Sequence, residues 1–190
     1  MKRALYLVAL LMLGSCASAP SRINNVCAVF DQRDGWINSW YGSAKKTERE
    51  FGVPVPILMA TIYAESGFNP YAKPPRTKLL GFIPWKRASS AYGYSQALDG
   101  TWKRYQAETG NWYARRSNFA DAVHFIGWYH ATSNRVNGIA LNDPYRLYLA
   151  YYLGHGGYSR GTANATAQQG AKRAANMATR YAGQLRSCGR

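Results

Sequence analysis

Residues 53–70, VPVPILMATIYAESGFNP, predict a buried helix that ends beside a carboxylate. One of its prolines suits the first helical turn, where the missing N–H group is not needed. Gly67 and the Asn-Pro pair that follows predict the end of the helix. Glu65 lies one turn beyond Thr61, on or near the same apolar stripe. The stretch therefore places one ionisable group at the end of a segment that otherwise belongs to the core.

The surroundings predicted for Glu65 suit a general acid. An apolar environment disfavours the ionised carboxylate and raises its pKa, and the negative end of the helix dipole acts in the same direction. A glutamate that stays protonated near neutral pH can protonate the leaving oxygen of a glycosidic bond. The alternative, from the helix pattern alone, is an exposed glutamate at a helix end.

Few other carboxylates follow Glu65 along the chain. A glycosidase ordinarily uses a second carboxylate as nucleophile or base. The acidic residues after Glu65 are Asp99, Glu108, Asp121 and Asp143. Asp121 and Asp143 fit the starts of predicted helices, and Glu108 fits a helix end. If Glu65 cleaves a glycosidic bond, the pattern favours a reaction without a protein nucleophile.

The rest of the chain predicts one mainly helical domain. Its 190 residues suit a single domain, and 47% apolar residues suffice for a core. No stretch alternates for long enough to require a sheet. Residues 71–91 are basic, proline-rich and aperiodic, and they predict a long loop. The further predicted helices cover residues 35–52, 98–110, 118–136, 142–154 and about 163–186, with caps at Asn118 and Asp143.

The N-terminus resembles a bacterial lipoprotein signal. Two basic residues precede an apolar run of ten residues, too short to span a bilayer as a helix, and LGSC ends at Cys16. Ala17 after this cysteine favours an outer-membrane lipoprotein that faces the periplasm. Ordinary secretory cleavage after ASA is the alternative. The expected segments are a signal peptide over 1–15, a lipidated Cys16 with a tether over 16–30, and the domain over 31–188.

Cysteine usage and charge agree with export. Once Cys16 is acylated, Cys27 and Cys188 remain and are expected to form a disulfide, with two free buried thiols as the alternative. The formal net charge of +15 attracts polyanions. No nucleic-acid-binding motif occurs, so nucleic acid is not an expected partner. The expected anionic partners are peptidoglycan and lipid head groups.

Three segments, in order along the chain, carry a resemblance to a known family. They are ESGFNP from Glu65, AYGYSQ from Ala91 and LAYYLGHGGY from Leu149. Together they resemble the transglycosylase domain of the soluble lytic transglycosylases, relatives of goose-type lysozyme, over roughly residues 45–160. The resemblance implies a mainly α, lysozyme-like domain in which residues 71–91 form a long inserted loop.

The resemblance also implies an activity. The family cleaves the β-1,4 bond between N-acetylmuramic acid and N-acetylglucosamine without water and leaves a 1,6-anhydro sugar. The sugar's own acetamide and hydroxyl replace a protein nucleophile, which agrees with the shortage of carboxylates. By resemblance Glu65 is the acid and then the base, Gln96 orients the substrate, and Tyr151 lies near Glu65 and helps to set its protonation. The implied substrate-binding residues are Ser66, Gly93, Tyr94, Gln96, Tyr151 and Tyr152, and neither a cofactor nor a metal is expected.

Two departures from the family motifs affect the predicted sugar contacts. Tyr152 stands where the family has asparagine, and Ser95 where it usually has methionine. In the loop, Trp85, Lys86 and Arg87 either contact peptidoglycan or a partner, or are simply solvated. The competing functions are a lysozyme-like hydrolase and a non-catalytic peptidoglycan-binding lipoprotein. The sequence leaves open whether the protein serves an envelope-spanning machinery.

Overall fold

The structure, a computed structural model, describes residues 19–34, 38–79 and 83–190. The predicted signal peptide and Cys16 lie outside these ranges. Seven helices dominate the described residues, which confirms the mainly α class, and none of these helices is long and apolar enough to cross a membrane. The helices are α1 (Val26–Val29), α2 (Trp40–Phe51), α3 (Val55–Ser66), α4 (Asp99–Thr109), α5 (Phe119–Asn137), α6 (Pro144–Ser159) and α7 (Ala165–Ser187). Two antiparallel hairpins join β1 (Arg33–Asp34) to β2 (Asn38–Ser39) and β3 (Arg76–Leu79) to β4 (Ile83–Arg87).

Helix ends follow the predicted caps in most places. The Asp143 side chain accepts a hydrogen bond from the Arg146 N–H at 2.9 Å, and the Asn118 side chain accepts one from the Asp121 N–H at 3.0 Å. Gly110 ends α4 in the left-handed conformation that glycine adopts easily. Local chemistry therefore sets these boundaries, which is why the sequence predicts them.

The start of α2 differs from the prediction. The helix begins at Trp40 rather than near residue 35, because the β1–β2 hairpin precedes it. Ser39 ends β2 and also caps α2, since its hydroxyl accepts a hydrogen bond from the Gly42 N–H at 3.0 Å. The Trp40 ring then stacks on Phe119 of α5, with ring centroids 4.0 Å apart.

The predicted buried helix, α3, lies at the centre of the core. It packs against α7, α5 and α2, and seven of its twelve residues are buried. Each large apolar side chain buried there contributes roughly 1.5–3 kcal/mol. Gly67 ends the helix in the left-handed conformation, as predicted. Only the last turn, which carries Glu65 and Ser66, reaches an open cleft.

The insertion between α3 and α4 is present but is not the irregular loop that was predicted. Its middle forms the β3–β4 hairpin, whose register pairs Arg76 with Arg87 and is shifted by an irregularity before Lys78. The Thr77 hydroxyl donates to the Lys86 carbonyl at 2.7 Å across the strands. The bulge and the prolines break the two-residue alternation that would have indicated strands.

The tether predicted over residues 16–30 extends too far. Residues 26–30 form α1 and its end, and Val26, Val29 and Phe30 belong to the main core. A disulfide joins Cys27 to Cys188 at the end of α7, with Cα atoms 6.6 Å apart. The bond closes a loop of 161 residues, worth about 4–5 kcal/mol in the chain-entropy account. The apolar residues of this segment were too few to show a helical period.

Candidate active site

A cleft opens where the end of α3 meets residues 89–98, α5 and α6. Its volume is about 420 Å³. Glu65 lies in its wall and is the only acidic side chain among the described residues that line it. The other lining residues include Gln96, Thr101, Phe125, Tyr129, Tyr151 and Tyr152. The cleft therefore combines one carboxylate with several aromatic rings, a composition that suits a sugar.

The environment of Glu65 changes its ionisation. Burial raises the pKa of its carboxyl to about 7, far above the usual value of a glutamate, because water cannot fully solvate the charged form. The Tyr148 hydroxyl donates a hydrogen bond to the carboxylate, which lowers this pKa and opposes part of the rise. The group is consequently near half protonation at neutral pH, so it can both give and take a proton there.

Tyr148 is the functional neighbour that sequence reasoning missed. It lies on α6, where it is 5% exposed, and burial together with Glu65 raises the pKa of its hydroxyl. Gly170 of α7 packs behind it, and a Cβ at that position would come within 3.3 Å of the Tyr148 ring. The available signal was its spacing, because a residue three positions before Tyr151 shares a helix face with it.

Tyr151 lines the cleft together with Glu65, and its hydroxyl is bonded to the backbone rather than to the acid. This hydroxyl donates to the Ser95 carbonyl at 2.6 Å. Burial, followed by the charge of Glu65, raises the pKa of the Tyr151 hydroxyl well above its usual value. Tyr151 therefore stays neutral and adds a fixed dipole to the wall, while Tyr148 provides the direct contact.

The Gly93 turn fixes the floor of the cleft. Gly93 has φ +74°, and a Cβ there would overlap the Arg116 carbonyl oxygen. The Gln96 side chain amide donates to the carbonyls of Gly93 at 2.8 Å and Ala72 at 3.0 Å. Gln96 itself has φ +49°, a conformation costly for residues other than glycine. The predicted substrate-orienting Gln96 thus lines the cleft and also braces the turn that carries it.

Ser66 connects the acid's helix to this turn. Its hydroxyl donates to the Tyr94 carbonyl at 2.8 Å, so the end of α3 and the turn are held together beside Glu65. The Tyr94 side chain is fully buried between Trp40 and Phe119. This placement contradicts the predicted substrate contact for Tyr94. Its ring packs in the core, and its backbone carbonyl holds the turn against the end of α3.

A break in α6 shapes the opposite wall. Gly154 has φ +73° and ψ +157°, values outside the helical region, so the helix axis is interrupted there. The residues just before the break, Tyr152 and Leu153, line the cleft, and Tyr152 is 50% exposed. The predicted end of a helix at Gly154 is therefore half right, because a further helical stretch follows immediately to Ser159.

Other carboxylates have partners elsewhere. Asp99 accepts a hydrogen bond from Arg116 at 2.7 Å, and Glu108 accepts one from the Trp128 indole at 3.1 Å. Of the nine acidic residues in the chain, only Asp34 has a side chain that the structure leaves undescribed. Among the other eight, Glu65 alone lines the cleft. No group of three or more potential metal ligands occurs in the described ranges.

One family model matches almost the whole of the sequence. The transglycosylase SLT domain matches residues 4–188, so the protein belongs to the transglycosylase SLT domain family. This membership confirms the resemblance carried by the three motifs and agrees with the mainly α fold. No curated protein matches the sequence. Membership implies a glycan-cleaving transglycosylase with peptidoglycan as its substrate.

Proposed function

We propose that the protein is a lytic transglycosylase that cleaves the β-1,4 bond between N-acetylmuramic acid and N-acetylglucosamine and forms 1,6-anhydro-N-acetylmuramic acid. The observation that carries this proposal is a single carboxyl group with a pKa of about 7 in a cleft whose described lining has no second carboxylate. A glycosidase with a protein nucleophile or base ordinarily uses a second carboxylate, so its absence from that lining favours a nucleophile supplied by the substrate.

The reaction then follows from one proton carrier. Protonated Glu65 gives its proton to the glycosidic oxygen as the bond breaks, while the acetamide of the muramic sugar stabilises the positive carbon. The ionised Glu65 next accepts the proton of the sugar's C6 hydroxyl, whose oxygen bonds to that carbon and closes the anhydro ring. Both steps suit a carboxyl group whose pKa lies near 7, because neither direction of transfer is strongly opposed.

The aromatic side chains of the cleft have a binding role in this proposal. Tyr129, Tyr151 and Tyr152 line the cavity and offer flat faces to sugar rings. Tyr152 replaces the asparagine of the family motif, and its half-exposed ring favours stacking in place of the amide hydrogen bond. The Gln96 turn fixes the distance between this aromatic wall and Glu65.

The location proposed for the protein is the outer membrane, where acyl chains on Cys16 hold it to the inner leaflet and the domain faces the periplasm. This part rests on the sequence of the signal alone. Labelling with a fatty acid analogue tests it, since Cys16→Ala is expected to lose the label and to leave the membrane fraction.

The proposed reaction is tested by the mass of its products. Purified protein and isolated sacculi are expected to give muropeptides that are one water lighter than those made by a lysozyme. Products with reducing ends would identify a hydrolase. Sacculus binding without any product, equal in wild type and Glu65→Gln, would identify a non-catalytic binding protein.

A further inference from the structure

The β3–β4 hairpin rises from the rim of the candidate cleft. The Ala72 carbonyl, before β3, accepts hydrogen bonds from the Gly93 N–H and the Gln96 side chain, each at 3.0 Å. Ser89, two residues after β4, lines the cleft together with Gln96. The chain segments on both sides of the hairpin therefore contact or form part of the cleft. A ligand bound to the hairpin would consequently lie beside a ligand bound in the cleft.

Exposed positive charge lies in the hairpin and just before it. The chain has no acidic residue between Glu65 and Asp99, while residues 71–91 contain five lysines and arginines. Lys73, Lys86 and Arg87 are exposed, and in the described ranges none of these three has a carboxylate within ion-pair distance. The Arg87 guanidinium donates to the Pro74 carbonyl at 2.5 Å, which orders the side chain and leaves its charge unneutralised.

The cleft itself has the opposite character. Its described lining contains neither lysine nor arginine, and its side chains other than Glu65 are neutral. Such a surface suits uncharged sugar rings and offers no cation to an anionic substituent. Along the chain, Arg87 of β4 lies two residues before Ser89, which lines the cavity.

We infer that the β3–β4 hairpin binds the carboxylate groups of peptide chains attached to the glycan that occupies the cleft. The inference rests on the proposed function, because it takes the glycan of that reaction and adds the part of the substrate that the cleft leaves outside. Exposed lysine and arginine pairs with carboxylates are individually weak but act together on a polymer that carries many of them. The substrate class is thus peptide-bearing glycan rather than glycan freed of its peptides.

A matched pair of triple variants tests this inference. One, called the hairpin variant, combines Lys73→Gln, three residues before β3, with Lys86→Gln and Arg87→Gln in β4. The control combines Lys46→Gln, Lys172→Gln and Arg180→Gln, which are exposed on α2 and α7 and remove the same charge. The rate of cleavage is measured on intact sacculi and on glycan strands from which an amidase has removed the peptides. Thermal unfolding of each variant establishes that the fold is retained.

The hairpin variant is expected to lose roughly tenfold in kcat/KM on intact sacculi and to match wild type on peptide-free glycan. The control variant is expected to lose much less on intact sacculi. Equal losses on both substrates, or equal losses in the two variants, would overturn the inference. So would lost binding to vesicles of anionic phospholipid with unchanged sacculus cleavage, since the partner would then be the membrane. Reducing-end products with the same hairpin preference would reject the transglycosylase reaction and leave the hairpin inference standing.

Discussion

Two of the carboxylate-lined pockets among the described residues differ in what surrounds their acids. The cleft has Glu65 among tyrosines, while a second pocket of about 660 Å³, here called the charged pocket, is lined by Glu50 and Glu108 together with Lys46, His124, Trp128 and Arg135. Glu50 lies 3.0 Å from the His124 ring nitrogen, and Glu108 lies 3.7 Å from Arg104. Both of these carboxylates are close to half exposed, at 45% and 46%.

The comparison shows that the number of carboxylates does not identify the reactive site. The charged pocket is larger and has two acids and a histidine, so a count would favour it. Its acids, however, are about half exposed to water, and Glu108 lies beside the Arg104 guanidinium. The other side chains that line the cleft with Glu65 are neutral, and burial raises the pKa of its carboxyl to about 7. An apolar environment, rather than a second acid, distinguishes the cleft.

The largest expected effect is on turnover. Glu65→Gln is expected to lower kcat by about 10²–10⁴-fold, because the amide cannot supply the proton. Glu108→Gln is the matched change in the charged pocket and is expected to leave kcat unchanged. Release of anhydro-muropeptides from sacculi measures both. Near-normal turnover in Glu65→Gln, or a large loss in Glu108→Gln, would reverse the assignment of the two pockets.

A second test compares glycines of the two regions. Gly93 of the cleft and Gly110 of the charged pocket both have left-handed φ, but only Gly93 faces a backbone oxygen where a Cβ would stand. Gly110→Ala is expected to cost about 1 kcal/mol, and Gly93→Ala about 2 kcal/mol more. Chemical denaturation measures the free energy of unfolding. Equal costs would mean that the close approach at Arg116 is not a constraint.

Stability against pH gives a third test. The folded-state pKa of Glu65, about 7, lies above its unfolded value near 4.5, so folding favours the protonated form. This contribution is complete below pH 4.5 and is lost as pH rises through 7. Relative to wild type, Glu65→Gln is therefore expected to gain about 2 kcal/mol of stability between pH 4.5 and 8, allowing for solvent in the cleft.

Thermal unfolding of the two proteins over this pH range supplies the measurement. Glu108→Gln is the control, since its carboxylate is exposed and paired. A constant difference between Glu65→Gln and wild type across the range would show that Glu65 ionises alike in the folded and unfolded chain.

The smallest effect concerns Tyr148. Tyr148→Phe removes the hydroxyl that stabilises ionised Glu65, so the pKa of the acid is expected to rise further. Activity that needs protonated Glu65 falls as pH rises, and in the variant this descending limb should move up by about one pH unit. The pH profile of kcat/KM measures it, with the exposed Tyr113→Phe as control. An unmoved limb would make Tyr148 a packing residue only.

Several features could be predicted because their causes are local. Asn118 and Asp143 are caps whose side chains bond to N–H groups three residues away, and Gly67 and Gly110 end helices by adopting left-handed backbone. Glu65 at the end of an apolar helix is also visible in a single stretch. Features that depend on distant residues were missed or misjudged, as with the Tyr94 ring, whose surroundings are Trp40 and Phe119.

The sequence by itself determined a helical domain with one acid at the end of its most enclosed helix. Helix periodicity and helix caps depend on residues only a few positions apart, so both can be recognised in the sequence. Only the tertiary structure decided how far the carboxyl group of that acid is desolvated, because α5, α6 and α7, which are distant in sequence, pack around the helix and cleft that contain it. It also selected Tyr148 over Tyr151 as the hydrogen-bond partner and turned the basic insertion into a hairpin at the rim of the cleft. Desolvation is a property of the assembled packing, and no short segment can encode it.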